Sequence, residues 1–317
     1  MPDSSPPAPA VGVDLGGTTV KIALVSPELE ILGRTSAPTD RRSQDTLLDQ
    51  LSRMIQEFVE DRAVAGVGFG LPSQIDQRRG LVLDSTNVPL EDLDFAGEMN
   101  SRLGLEIRID NDANVACLAE ARCGVAQGVR HMVMLTLGTG VGGGLLLDGS
   151  LYRGAIGSGG ELGHMSIDED GPPCQGHCNN RGCLEVLASA TGVMSAANTL
   201  ANEQPSGRLA NARVGGTELD ARFIIDRAEA GDREAREVLR RVGRHLGVGI
   251  ANYVNIFNPE LVVVGGGVSS AGDLLLEPAR EECRRRALKA TGEEVRIVAA
   301  QLGNDAGLIG AAALVFE

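Results

Sequence analysis

The first third of the chain consists of short β-rich runs followed by a helical segment. Residues 11–15, 20–26 and 31–37 are short β-rich runs, and Gly-Gly and Pro-Glu turn signals separate them, which predicts three antiparallel strands. Apolar residues then recur at helical spacing through residues 44–62. The same criteria predict strands at 64–70 and 106–110 and a helix from Asn111 or Asp112 to Arg122.

The middle of the chain begins the same pattern again. Residues 132–137 and 141–147 predict two strands joined at a glycine-rich turn, as at the start of the chain, which indicates two units of duplicated architecture. Residues 154–182 are loop-like, and the polar stretch 202–217 is predicted to be a mobile insertion. The remaining predicted elements are helices at 232–257, 274–290 and 306–315 and strands at 261–264 and 295–299.

The length predicts two packed lobes, because 317 residues exceed the size at which one hydrophobic core usually keeps growing. We expect a disordered tail over residues 1–10 and an N-terminal lobe over residues 11–115, which the closing helix at 303–317 joins. The C-terminal lobe is expected over residues 116–302, with a cysteine-bearing loop at 164–185.

Composition and charge narrow the class of function. Hydrophobic residues make up 43% and charged residues 23%, which is typical of a soluble globular protein, and interruptions in the apolar runs predict no transmembrane helix. A net charge of −14 argues against nucleic-acid binding, and the basic runs at 240–241 and 284–286 lie among acidic neighbours in helical patterns. Without the features of a secretory signal, the protein is expected in the cytoplasm.

Three of the six cysteines are clustered in sequence, at Cys174, Cys178 and Cys183. The other three are dispersed in helical patterns. Without a signal peptide, the cluster favours a metal site in a reducing compartment over a disulfide framework. A disulfide or inert free thiols are the alternative.

A glycine-rich turn between the first two predicted strands is a candidate phosphate site. Asp14 precedes a turn that contains Gly16, Gly17, Thr18 and Thr19. Glycine lets backbone N–H groups approach phosphate oxygens, hydroxyl groups add donors, and Asp14 can hold a hydrated Mg²⁺. An ordinary glycine hairpin is the alternative, because neither a Walker motif nor a dinucleotide-binding fingerprint is present.

Two further glycine clusters follow predicted strands. The second turn repeats the first in the other unit and contains Gly138, Thr139, Gly140, Gly142 and Gly143. Two such turns suit a phosphate chain that is held from both sides. The third cluster ends a buried strand and comprises Gly265, Gly266 and Gly267. Adenine and ribose could lie there against bare backbone, and packing glycines are the alternative.

The segment from Asp110 to Asn114, Asp-Asn-Asp-Ala-Asn, lies where a predicted strand leads into a helix. A kinase that acts on an alcohol needs a group to accept the hydroxyl proton as the γ-phosphoryl group arrives, and the carboxylate of Asp112 can do so. Asp and Asn are also good helix caps, so capping alone is the alternative explanation.

Together these segments resemble the ROK family of bacterial sugar kinases and sugar-responsive repressors, over nearly the whole chain from Val11 to Ala313. The most specific element is Gly-Glu-Leu-Gly-His at 160–164 followed by the three clustered cysteines and Gly-Cys-Leu-Glu at 182–185, which is similar to the family's Glu-x-Gly-His element and zinc loop. The resemblance implies the α/β fold of actin-like and hexokinase-like ATPases, with two RNase-H-like lobes around a cleft that closes on sugar and ATP.

The resemblance also implies roles for individual residues. Asp112 would be the general base, and the sugar would be bound by Gly70, Asn87, Asn111, Asp112, Glu161, His164 and Glu185. The first two glycine turns would hold the phosphates of MgATP, and residues 265–267 would lie near the adenosine. One structural Zn²⁺ would be held by His164, Cys174, Cys178 and Cys183, with the second ring nitrogen of His164 left for the sugar.

The sequence departs from the family pattern in two places. The usual zinc loop has Cys-x-Cys, whereas three residues separate Cys174 from Cys178 here. A His-x9-Cys-x3-Cys-x4-Cys set still supplies four tetrahedral ligands, with His177 as the alternative to Cys174. The second departure is Ser73, which follows Gly-Leu-Pro where the family more often has Pro-Gly, so the loop at the predicted sugar pocket is altered.

Three hypotheses compete: a hexose kinase, a catalytically silent sugar sensor, and an actin-like or chaperone-like ATPase. Family repressors carry a helix-turn-helix segment before the first turn, but only thirteen residues precede Asp14, and the phosphate turns and Asp112 are intact. An ATPase without a sugar would not explain Glu161, His164 and Glu185. We therefore expect a kinase that phosphorylates the 6-hydroxyl of glucose with ATP, with N-acetylmannosamine, N-acetylglucosamine and fructose as alternative substrates. The resemblance also implies a homodimer or homotetramer.

Overall fold

The computed structural model describes residues 8–60, 62–176 and 178–317, and it divides into two compact units. The first unit takes in the described residues up to Gly128, then Leu151–Gly160 and Leu302–Glu317. The second takes in Val129–Ser150 and Glu161–Gln301. The division follows residue 128 rather than 115 because the helix after Asn111 packs against the closing helix within the first unit.

The described residues form both strands and helices, which are numbered in chain order. In the chain the strands are β1 (Ala10–Leu15), β2 (Thr19–Val25), β3 (Ile31–Pro38), β4 (Val67–Leu71), β5 (Ser73–Asp76), β6 (Leu81–Ser85), β7 (Ile107–Asn111), β8 (Met132–Leu137), β9 (Val141–Leu147), β10 (Ser150–Leu151), β11 (Leu261–Gly265) and β12 (Arg296–Ala299). The α-helices are α1 (Gln44–Val59), α2 (Phe95–Leu103), α3 (Asp112–Cys123), α4 (Leu184–Ala188), α5 (Ala190–Glu203), α6 (Arg208–Val214), α7 (Ala221–Glu229), α8 (Arg233–Phe257), α9 (Asp273–Arg286), α10 (Lys289–Glu294) and α11 (Ala306–Ala313).

The main sheet of the first unit has the strand order β3-β2-β1-β4-β7. β1, β2 and β3 are antiparallel, as predicted, whereas β1, β4 and β7 run parallel. In this register Asp14 lies opposite Gly70, and Gly70 lies opposite Asp110. The ends of three strands therefore bring the first glycine turn and the Asp110–Asp112 segment to the same edge of one sheet.

The main sheet of the second unit repeats this arrangement in the order β10-β9-β8-β11-β12. β8 is antiparallel to β9 and parallel to β11, which is parallel to β12. Gly265 at the end of β11 lies opposite Thr136 of β8, so the second glycine turn and the third glycine cluster share a sheet edge. The predicted duplication is confirmed.

Each unit has its own apolar core. In the first, α1 buries Leu47, Leu51 and Ile55 against the sheet, and the rings of Phe69 and Phe95 pack edge to face with centroids 5.0 Å apart. In the second, one face of the long helix α8 is buried against the sheet and the neighbouring helices. No helix in the described ranges is long and apolar enough to cross a membrane.

The elements that the sequence analysis did not predict include β5, β6, α2, α4, α5 and α7, and two further segments differ from what it did predict. The stretch predicted as a mobile insertion forms α6, because Leu209 and Ala210 are buried in the core and Glu234 accepts the first two N–H groups of the helix. The expected tail ends before Ala10, which is fully buried at the start of β1. Residues 1–7 lie outside the part of the chain that the structure describes.

Candidate active site

The junction of β7 and α3 carries the predicted base. Asn111 caps α3, since its side-chain oxygen accepts hydrogen bonds from the N–H groups of Ala113 at 2.9 Å and Asn114 at 3.4 Å. Asp112 is the first residue of the helix and is exposed, and one of its carboxylate oxygens accepts the N–H of Ala113 at 2.8 Å. The capping role thus belongs mainly to Asn111, and the carboxylate of Asp112 lies at the electropositive end of the helix.

A buried ion pair lies directly beneath this junction. Asp110 is 1% exposed, and its Oδ1 accepts hydrogen bonds from the N–H of Asn111 and from the side-chain amide of Asn114, each at 2.8 Å. Its Oδ2 accepts a hydrogen bond from Nε of Arg153 at 2.6 Å. Burial disfavours the charged guanidinium, but Asp110 and Glu317 outweigh burial and raise the pKa of Arg153. Sequence analysis missed Arg153 because nothing local links it to a residue 43 positions earlier.

Gly70 and Ser73 border the same junction. A Cβ atom on Gly70 would lie 2.7 Å from Cγ2 of Val115 and 3.7 Å from Cα of Asp112, so α3 packs against bare backbone. The side-chain amide of Asn111 donates to the carbonyl oxygen of Ser73 at 3.3 Å, and the Ser73 hydroxyl hydrogen-bonds that of Ser85 across the β5–β6 pair. The backbone of residue 73 therefore contacts Asn111, whereas the Ser73 hydroxyl contacts Ser85.

The first glycine turn is closed by its own backbone. The N–H of Gly16 donates to the carbonyl oxygen of Thr19 at 3.0 Å, and the Thr39 hydroxyl donates to the carbonyl oxygen of Gly16 at 2.7 Å. Thr39 also donates its N–H to the carbonyl oxygen of Thr18 at 3.0 Å. Gly17 lies so close to Asn87 that an added Cβ would be 3.0 Å from the Cβ of Asn87. Asn87, predicted as a sugar ligand, thus borders the first glycine turn.

Asp14, the predicted Mg²⁺ ligand, is ion-paired. Nζ of Lys21 lies 3.0 Å from Oδ2 of Asp14, and both side chains remain partly exposed. Gly307 in the first turn of α11 also packs against the Asp14 carboxylate. A single partly exposed carboxylate fits an ion that keeps its waters and phosphate ligands, because Mg²⁺ rarely uses a dedicated protein cage.

The second glycine turn supports a carboxylate. The N–H of Gly138 donates to the carbonyl oxygen of Gly140 at 2.9 Å, and the N–H of Val141 donates to Oε2 of Glu185 at 3.0 Å. An added Cβ on Gly140 would overlap that same oxygen, so only glycine leaves room for Glu185. The structure therefore brings together the second glycine turn and Glu185, which the sequence analysis treated separately.

The other residues of the second glycine turn have different surroundings. Gly142 and Gly143 lie in β9, and the carbonyl oxygen of Thr139 accepts a hydrogen bond from the hydroxyl of Thr191 at 3.0 Å.

The third glycine cluster opens onto a cavity. Gly266 has a φ of +84°, and an added Cβ there would collide with the backbone of Leu137. Beside it lies a cavity of about 520 Å³, a volume within the range of small-molecule sites. Its lining residues are Leu137, Gly138, Ala190, Ala221, Arg222, Ile225, Asp226, Glu229, Gly267, Val268 and Ser270. The second and third glycine clusters thus meet in one cavity. The contribution of α7 was missed because its sequence shows only ordinary amphipathic spacing.

Four predicted metal ligands converge in the second unit. The candidate ligand atoms of His164, Cys174, Cys178 and Cys183 all lie within 4.8 Å of one another. Zn–S bonds of about 2.3 Å imply sulfur–sulfur separations of about 3.8 Å in a tetrahedron, so the donor set fits zinc in both chemistry and spacing. Burial raises the pKa of Cys174 and of Cys183, and a bound cation would favour their thiolates instead. His177, the alternative ligand, lies outside the described residues.

The two ring nitrogens of His164 face different groups. Its Nδ1 lies 3.5 Å from Sγ of Cys174, and its Nε2 lies 3.9 Å from Oε2 of Glu161. The pKa of Glu161 is raised, mainly because burial removes solvation from the carboxylate. The charge of His164 lowers this pKa, and the charge of Glu185 raises it further. Glu161, His164 and Glu185, the three residues that the family resemblance assigns to the sugar, thus lie together beside the cysteine cluster.

Residues 10–317 match the sequence model of the ROK family. The chain belongs to the ROK family. A glucokinase of Halalkalibacterium halodurans is 38% identical over 314 residues, which cover 96% of this chain and 94% of that protein. A putative xylose repressor of a Caldicellulosiruptor species is 34% identical over 313 residues, which cover 97% of this chain and 78% of that protein.

A solved ROK member supports the same assignment. The ROK family glucokinase from Streptomyces griseus, crystallised with glucose and AMPPNP, is 34% identical with a TM-score of 0.83 and covers 96% of this chain and 98% of its own. The predicted hexokinase-like α/β fold is confirmed. Because the relatives of this ROK protein include both kinases and repressors, its function has to be argued from its own residues.

Proposed function

We propose that this ROK protein is an ATP-dependent hexose kinase and that its preferred reaction is phosphorylation of glucose at the 6-hydroxyl. The observation that carries the proposal is the exposed carboxylate of Asp112 at the same sheet edge as the first glycine turn. Transfer to an alcohol requires a proton acceptor and a cradle for phosphate, and Asp112 and the first glycine turn are the groups that support these two roles in the proposal.

In the proposed reaction the 6-hydroxyl oxygen forms a bond to the γ-phosphorus of ATP, and the bond from that phosphorus to the β–γ bridging oxygen breaks to release ADP. Asp112 accepts the hydroxyl proton. Asn111 keeps Asp112 at the helix start, and backbone N–H groups of the glycine turn bind phosphate oxygens. Mg²⁺ held near Asp14 would offset negative charge on the phosphates.

The second unit supplies recognition. The cavity beside Gly138 and Gly267 suits a nucleoside in size and in its bare backbone, so we assign adenosine to it. Glu161 and Glu185 can accept hydrogen bonds from sugar hydroxyls, and His164 can present Nε2 while Nδ1 faces the cysteines. Zinc held by His164 and the three cysteines would stabilise this loop and perform no chemistry, because its four protein ligands close the coordination shell.

Glucose is our first choice because two kinds of support agree. The three polar side chains suit a sugar with free ring hydroxyl groups, and the Streptomyces griseus relative was solved with glucose. N-acetylmannosamine, N-acetylglucosamine and fructose are the competing substrates.

Assembly of this protein as a homodimer or homotetramer stays a prediction.

The test is a coupled assay of ADP release with MgATP across hexoses and N-acetylhexosamines, followed by NMR of the product to locate the phosphate. We expect the highest kcat/KM with glucose, phosphate on the 6-hydroxyl, and little ATP hydrolysis without sugar. A higher kcat/KM for another sugar would overturn the glucose assignment and leave the kinase assignment intact.

A sugar sensor is the second candidate because repressors occur among the relatives. The two functions differ in one measurable respect. Calorimetric sugar binding without any sugar-dependent ADP release would support the sensor and refute the kinase, whereas sugar-dependent turnover would exclude a catalytically silent protein.

A further inference from the structure

We propose that Arg153 is a positioning residue for proton transfer: its ion pair with Asp110 fixes the Asn111–Asp112 step so that the Asp112 carboxylate meets the acceptor hydroxyl. This inference rests on the proposed kinase function. In this proposal Arg153 does not itself touch substrate. It acts through its ion pair with Asp110, which orients Asp112.

Asp110 connects three parts of the first unit through one carboxylate. It lies on β7, its Oδ1 binds Asn111 at the strand end and Asn114 in the first turn of α3, and its Oδ2 binds Arg153 on Leu151–Gly160. Asp112 lies between the two residues that Oδ1 binds. A movement of Asp110 would therefore change the backbone on both sides of the base.

Arg153 is the ion-pair partner of the buried Asp110 carboxylate, whose other oxygen accepts the hydrogen bonds from Asn111 and Asn114. At 1% exposure the carboxylate receives almost no help from water, and a buried charge that loses its partner is strongly destabilised. Removing the Arg153 guanidinium would therefore disturb the carboxylate that holds the strand end.

Arg153 is itself on a well-anchored loop. The N–H of Gln77 donates to the carbonyl oxygen of Ile156 at 3.0 Å, and Gly157 packs directly on the carbonyl oxygen of Ile75. The carbonyl oxygen of Arg153 accepts the N–H of Gly159 at 2.9 Å. Because both ends of the ion pair are anchored, it can hold Asp112 to within the small tolerance that proton transfer requires.

The test compares Arg153→Met with the double variant Arg153→Met/Asp110→Asn. We expect the single variant to lower kcat on the order of tenfold with KM for sugar and ATP nearly unchanged, and to lower the melting temperature by about 5 °C or more. The double variant removes the unpaired buried charge, so the melting temperature should recover while kcat stays low. Recovery of both would show that Arg153 only neutralises charge and would overturn the inference.

Arg122 offers a matched control. Its guanidinium lies 3.7 Å from Glu317, which also pairs with Arg153, but it forms no described contact with Asp110. Arg122→Met should leave kcat unchanged, and a loss equal to that of Arg153→Met would assign the effect to Glu317 and refute our inference.

Failure of the kinase proposal can be distinguished from failure of this one. If the wild-type protein turns over no sugar, the proposed function fails, and hydrogen exchange of a peptide spanning residues 107–118 then decides the role of Arg153. Arg153→Met should speed exchange at the start of α3, and Arg122→Met should not. Equal exchange in both variants would contradict the positioning role.

Discussion

The first and second glycine turns have the same place in their sheets but different chemical surroundings. Each turn joins the first two strands of a sheet with the same strand order, yet their neighbours differ. The first turn borders Asn87 and the Asp14–Lys21 ion pair, whereas the second supports the Glu185 carboxylate on Gly140 and Val141. The duplicated strand order accounts for the similar backbone of the two turns. The side chains that lie beside each turn account for the difference in their chemistry.

The carboxylates of the two units are held in different ways. Asp112 begins a helix whose cap and underlying ion pair fix it. Glu185 follows Cys183 by two residues at the start of α4, so its position depends on the cysteine-bearing loop. Changes at Asp112 should therefore act mainly on kcat, and changes that displace Glu185 should act mainly on the KM for sugar.

The largest expected effect is that of Asp112→Asn. It removes the proton acceptor and keeps the shape, so kcat should fall on the order of a hundredfold or more while sugar binding, measured by calorimetry, changes little. Asp45→Asn is the matched control, because Asp45 is an exposed acid in the first turn of α1. Near wild-type turnover in Asp112→Asn would leave helix capping as the sole role of this segment.

Loss of the metal should give the next largest effect, now on the KM for sugar. Protein purified without chelator should contain one zinc per chain, and Cys178→Ser should remove the metal and raise KM for glucose on the order of tenfold, because the loop carries His164 and leads to Glu185. Cys123→Ser, outside the cluster, is the control. Absence of zinc would contradict the prediction, and full zinc content in Cys174→Ser would make His177 the fourth ligand.

Most of the fold followed from local pattern, whereas the long-range contacts did not. β8 and β9 are found at the predicted residues because alternation and a glycine turn are local signals. The Arg153–Asp110 pair and the contact of Glu185 with Gly140 join residues more than 40 positions apart, and no local periodicity encodes such contacts. The helix α6 was missed because its short apolar face, Leu209 and Ala210, lies within a polar stretch.

Gly140→Ala tests the contact that distinguishes the second turn. The added methyl group would overlap Oε2 of Glu185, so the carboxylate must move and KM for glucose should rise on the order of tenfold. At Gly138 no heavy atom lies within 4 Å of an added Cβ, and Gly138 lines the cavity to which we assign adenosine. Gly138→Ala should therefore change KM for ATP and leave KM for glucose unchanged. Identical effects of both variants would refute the assignment of Glu185 to the sugar.

The smallest expected effect is a pH-dependent change in stability on replacing Glu161. The pKa of Glu161 is raised above its usual 4.5, because lost solvation and Glu185 disfavour the carboxylate more than His164 favours it. A raised pKa means that the protonated form stabilises the fold below pH 4.5, and this contribution is lost as pH rises through the pKa of the folded state. At pH 7 the charged group is therefore a cost in the metal-free protein, and Glu161→Gln should raise the melting temperature of that form. With 47% of the Glu161 side chain exposed, the rise in melting temperature should be only about 1–2 °C, and it should vanish near pH 4.

A lower melting temperature of Glu161→Gln at pH 7 would instead mean that attraction to His164 outweighs the loss of solvation. If the sugar KM rises at the same time, Glu161 is an example of a binding residue kept at the expense of stability.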